Sequence, residues 1–81
     1  MHCYIAETSK HIQMGSIHNV INWSETQINS GFAKVAKIFH IRAGEKNAQL
    51  FAEITSSGIR LLNNGSTTNY KRLASRCLSE K

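Results

Sequence analysis

Between Ser24 and Phe39, in the stretch SETQINSGFAKVAKIF, apolar residues recur at i, i+4, i+7, i+8 and i+11: Ile28, Phe32, Val35, Ala36 and Phe39. That spacing lines one face of an α-helix. Ser24 followed by Gln27 fits a capping box, and Glu25 falls in the first turn, where the helix dipole favours a negative charge. The opposite face carries Thr26, Gln27, Ser30, Lys34 and Lys37. The pattern predicts a helix over 24–39 in spite of Gly31, which costs it about 1 kcal/mol relative to Ala. Just upstream, GSIHNVINW predicts a shorter helix over 16–22, with Gly15 as breaker, Ser16 as cap and Ile17, Val20 and Ile21 as its apolar face. Only Asn22 and Trp23 separate the two helices, so they must turn sharply against each other, as in a helix-turn-helix. Trp23, in that turn, is expected to pack in the core. Residues 2–13, with Tyr4, Ile5 and Ile12, are read as a further helix or an extended arm.

After residue 39 the period changes. Leu50, Ala52 and Ile54 alternate with Gln49, Phe51 and Glu53, and Ile41 lies in a preceding run, with the polar AGEKNA between them. This predicts a hairpin over 40–55. Thr55-Ser56-Ser57-Gly58 then hands over to Ile59, Leu61 and Leu62, read as a structural hinge in which Thr55 caps a short apolar turn of helix. Residues 67–79 predict a final amphipathic helix. Ser66 or Thr67 caps it, Tyr70, Leu73, Ala74, Cys77 and Leu78 form its apolar face, and Lys71, Arg72 and Arg76 lie off that stripe.

The 81 residues, 41% hydrophobic and 19% charged, suit one small globular domain spanning 1–81. No run reaches the ~18 apolar residues of a membrane span, and MHCYIAETSK has neither the basic nor the apolar region of a secretory signal. The expectation is a cytoplasmic protein whose Cys3 and Cys77 are free thiols. His2, His11, His18 and His40 lack the spacing of a metal site, so no metal is expected. With no acidic pair, no Gly-rich phosphate loop and no Asp to complete a triad, neither catalysis nor a cofactor is expected. The net charge of +5 is uneven. Residues 1–33 carry Lys10 against Glu7 and Glu25. Residues 34–76 carry Lys34, Lys37, Arg42, Lys46, Arg60, Lys71, Arg72 and Arg76 against Glu45 and Glu53. An excess of that kind suits a polyanionic partner, or simply a basic soluble protein.

Helix, tight turn, helix, strand, polar loop and strand in that order resemble a winged helix-turn-helix domain. EITSSGIRLL is similar to the I/L-T-x-x-G step and apolar turn that end the wing in MarR-like regulators. The resemblance covers residues 16–62. The long dimerisation helices of full-length MarR-type repressors are missing, which leaves a minimal domain of the kind found in small phage and plasmid proteins. It implies an α+β fold with a two-stranded wing and a C-terminal helix, and a transcriptional regulator that binds double-stranded DNA. Thr26, Gln27 and Ser30 would read base edges, Lys34 and Lys37 would meet phosphates, and Arg42, Lys46 and Asn47 would contact DNA from the wing. The alternative is the same scaffold used as a protein-interaction module, such as a phage-type inhibitor of host RNA polymerase or a defence complex. Residues 67–79 offer an apolar face through which a homodimer is expected.

Overall fold

The computed structural model of the protein describes residues 2–42, 46–62, 67–69, 71–73 and 75, and the side chains of all of these except His2 and Arg42. It is an antiparallel sheet crossed by a 13-residue helix, not a winged helix. The elements run β1 (His2–Glu7), β2 (Ile12–Gly15), α1 (Ile17–Asn29), β3 (Val35–Arg42), β4 (Asn47–Thr55), β5 (Gly58–Leu61) and β6 (Thr67–Asn69). The strand order is β2-β1-β3-β4-β5, and β6 pairs the other half of β4. Since β5 meets β4 at residues 52–55 and β6 meets it at 47–49, the two short strands lie end to end along one neighbour.

The segment read as a helix or arm over 2–13 is a hairpin. Its turn is organised by Thr8, 4% exposed, whose Oγ1 accepts from the amides of Lys10 and His11 and donates to the His11 carbonyl. A single helix, 17–29, replaces the two predicted over 16–22 and 24–39. Ser16 caps it through the Asn19 amide, as expected. Ser24, read as the cap of the second helix, lies mid-helix at 0% exposure and donates to the Val20 carbonyl at 2.6 Å. Asn22 and Trp23 continue the helix rather than breaking it, and Trp23 packs against the core.

Gly31 decides where α1 ends. Its amide bonds the Ile28 carbonyl, the Phe32 amide bonds the Gln27 carbonyl, and its φ is +81°. These are the two bonds and the left-handed residue of a Schellman terminus, where glycine avoids the clash of a Cβ. The residue expected to weaken a long helix therefore terminates a shorter one. Beyond it Val35–Arg42 is a strand with both faces covered: Ala36 and Ile38 point toward α1, Phe39 and Ile41 away from it. A doubly buried strand has no polar alternation, so it mimics a helical run over a short window.

The sheet separates two apolar clusters. Ala6, Val20, Ala36, Ile38, Ala52 and Ile54 lie between sheet and α1. On the other face Leu73, 0% exposed, closes a cluster of Ile5, Ile12, Phe39, Ile41 and Ala48. A bulge lets β4 serve both: Ile38 pairs Ala52 but Phe39 pairs Leu50, so Phe51 is the extra residue. Leu50 packs with the second cluster while Phe51 and Ala52 both turn toward α1.

Thr55–Gly58 is a hairpin turn, not the approach to a helix. Thr55 and Gly58 pair as the ends of β4 and β5, Ser56 and Ser57 form the turn, and Thr55 Oγ1 accepts from the Ser57 amide at 3.2 Å instead of capping a helix. Gly58 holds φ +120°, a region that L side chains avoid. The predicted helix over 67–79 begins later than expected: 67–69 is strand, and 71–73 and 75 are helical. Tyr70, Ala74, Arg76, Cys77 and Leu78 lie outside the described residues, as do Ala43, Gly44 and Glu45 of the AGEKNA tip.

Candidate functional site

The residues expected to read DNA are not brought together. Thr26 and Gln27 sit in the last turn of α1 and Ser30 is its C-terminal cap. Their local partners are internal: Thr26 Oγ1 donates to the Asn22 carbonyl, and the Gln27 carbonyl accepts from Phe32 and Ala33. This is the end of the helix whose dipole repels phosphate. Lys34 lies in the following loop. Lys37 is on β3, on the sheet face opposite α1, in the row that contains Glu7. Arg42 ends β3, and Lys46 and Asn47 lie at or beside the start of β4, so this group stands at the far end of a strand on the order of 20 Å long. The exposed positions of α1, His18, Asn19, Asn22, Glu25, Thr26 and Asn29, include no Lys or Arg.

Other clusters are built into the fold. His40 stacks on Tyr4 at 4.7 Å and 16°, with Phe51 edge-on to both. Glu7, Thr8, Ser9, Val35 and Lys37 line an open groove of about 280 Å³. Glu7 there holds Arg72 by a two-pronged ion pair of 2.9 and 3.2 Å, and this bond is the main reason that the guanidinium is raised above its usual pKa. Both features serve the fold: the first packs against the cluster under α1, and the second ties down the segment that carries Leu73. Leu73 belonged to the apolar face expected to form a dimer, yet it is buried within its own chain. Cys3 carries a free thiol. Among the described residues no three His, Cys, Asp or Glu are grouped to hold a metal, and no helix is long and apolar enough to cross a membrane.

Among the described residues, the outer edge of β5 is a surface that the fold leaves unused. Its four residues are all exposed, and Ile59 and Leu61 remain 49% and 67% accessible on the α1 side of the sheet. Antiparallel ladders alternate, each residue turning its amide and carbonyl first to one neighbour and then to the other. The Leu62 amide bonds the Phe51 carbonyl, so Leu62 and, two residues back, Arg60 face β4. The amides and carbonyls of Ile59 and Leu61 therefore point outward, and among the described residues no strand pairs with them. Such an edge is usually blunted by charge, proline or a cover. Here Arg60 puts a charge on the face opposite α1, while the α1 side keeps two apolar side chains, and two sets of backbone groups stay aligned for another strand. The sequence signal is the alternation Ile59-Arg60-Leu61, which over three residues also fits a turn of helix. At the opposite edge, β2 exposes Met14 at 38% and runs straight into the cap of α1.

Compared with protein-family models, curated proteins and solved structures, the chain gives no match.

Proposed function

We propose that this chain is a cytoplasmic, non-enzymatic protein-interaction module that takes up an extended segment of another protein along the outer edge of β5. The edge of β5, which no described strand pairs and on which Ile59 and Leu61 are 49% and 67% accessible, carries the proposal. Strand addition uses what is present there: outward backbone groups supply affinity, and alternate side chains supply selectivity. A bound segment would cover the two apolar residues on one face and complete the ladder on the other side of β5.

Double-stranded DNA remains the competing partner, favoured by the net charge of +5. The placement of the cations expected to meet DNA speaks against a concerted contact. Lys34 and Lys37 stand at one end of the sheet and Lys46 at the other, and the helix that would enter a groove has no basic residue on its exposed face.

The test uses a display library of ten-residue peptides selected on the full chain, with random duplex DNA titrated in parallel across a salt series. Selected peptides should shift the backbone amide signals of residues 58–62 and should lose binding to the Leu61→Lys variant. If duplex DNA instead binds at submicromolar strength, with log K falling by about 0.9 per phosphate contact against log salt, and Leu61→Lys binds it equally well, the proposal is wrong.

A further inference from the structure

We infer that the strand received by β5 carries an acidic residue opposite Arg60, flanked by two apolar residues. This rests on the edge of β5 being the binding surface, and it adds the chemistry of the ligand. The register places one row of charges straight across the sheet face opposite α1: Glu7 pairs with Lys37, Lys37 with Glu53, and Glu53 with Arg60. The signs alternate through four neighbouring strands and stop at Arg60, on the edge. Adjacent strands are ~4.8 Å apart, so a carboxylate in the next position would lie one strand from Arg60 and two from Glu53. The nearer, opposite charge dominates.

The hydrogen-bond phase strengthens the preference. With Ile59 and Leu61 directing their backbone outward, an incoming antiparallel strand would exchange hydrogen bonds at those two positions. The residue facing Arg60 would then belong to a non-hydrogen-bonded pair, in which opposed side chains stand closest. Its two neighbours would point to the α1 side, against Ile59 and Leu61, so both should be apolar. The recognised pattern is apolar–acidic–apolar.

The same geometry disfavours a second copy. A two-fold antiparallel pairing that sets Ile59 against Leu61 of a second copy must centre on Arg60, which brings two guanidinium groups face to face. It would also join two chains each carrying a net charge of +5. An acidic–apolar segment from a different protein satisfies the row, and a second copy breaks it.

The test uses three synthetic decapeptides with Val-Glu-Val, Val-Gln-Val and Val-Lys-Val at the centre of a Thr-rich strand, measured by fluorescence anisotropy at low salt. The full chain should bind the Glu peptide roughly five- to tenfold tighter than the Lys peptide, the effect of turning a cross-strand attraction into a repulsion. Arg60→Glu should reverse that order and Arg60→Gln should flatten it, with melting curves showing that both variants stay folded. If all three peptides bind equally and Leu61→Lys abolishes all three, the edge binds strands but the acidic preference is refuted. If none binds and no amide of residues 58–62 responds, the edge proposal falls as well. A dimer at high micromolar concentration that Leu61→Lys dissolves would make a second copy the occupant and overturn the inference.

Discussion

Leu73→Ala tests whether the C-terminal segment is part of the core. Leu73 is fully buried among Ile5, Ile12, Phe39, Ile41 and Ala48, on the sheet face that α1 does not cover. Truncation removes three carbons, worth about 2.4 kcal/mol at ~0.8 per buried methylene, and leaves a cavity whose cost brings buried Leu→Ala changes to roughly 3–5 kcal/mol. The lower end of that range, about 3 kcal/mol, is the expected loss. A chain of 81 residues has on the order of 4–12 kcal/mol of stability. Such a loss should lower Tm by roughly 12–24 °C. The measurement is thermal and urea unfolding followed both by far-ultraviolet circular dichroism and by Trp23 fluorescence. Trp23 packs on the opposite side of the sheet from Leu73, so it reports whether the damage is transmitted. Both signals should move together, as in a two-state transition. A shift below ~4 °C in either would refute the role given to Leu73, because a side chain that seals a core cannot be removed so cheaply.

Gly31→Ala should cost about 1–2 kcal/mol in urea unfolding, since a Cβ there meets no atom within 4 Å and only the left-handed backbone resists it. If Gly31 lay inside a continuous helix, the same change would stabilise the protein. Gly58→Val, at φ +120°, should lower stability by on the order of 1–3 kcal/mol, and an unchanged melting curve would contradict the turn geometry. Ser24→Ala should leave Tm unchanged or raise it by a few degrees, as it gains ~0.5 kcal/mol of helix propensity at a position whose hydroxyl serves only the Val20 carbonyl. A helix cap at Ser24 would instead show a loss of ~1 kcal/mol. Glu7→Gln should cost about 0.5–1 kcal/mol at low salt, and the difference should shrink in 0.5 M salt, because Arg72 is half exposed.

Local signals in the chain were legible where the chemistry is local. Ser16 caps α1, Ile17, Val20 and Ile21 face inward, and residues 49–55 lie in a strand, each as the sequence implied, although that strand starts two residues earlier, at Asn47. What misled was the joining of neighbours. Ile28, Phe32, Val35, Ala36 and Phe39 keep helical spacing across Gly31, yet Phe32 is 59% exposed and Val35 to Phe39 lie in a strand. Ile59-Arg60-Leu61 offers the same ambiguity over three residues, too few to tell a period of 2 from one of 3.6. The candidate binding edge was hidden for that reason.

Composition, patterning and capping chemistry by themselves determined that this chain is small and basic, where α1 begins, and that Ile17, Val20 and Ile21 face inward. The tertiary structure alone decided that Val35–Arg42 extends, since a central strand covered on both faces gains more from packing than helical propensity can offer. It also decided the register. The row Glu7, Lys37, Glu53, Arg60 gathers residues spread over more than fifty positions of sequence, and only the pairing of four strands sets their charges side by side and leaves the last of them at an open edge.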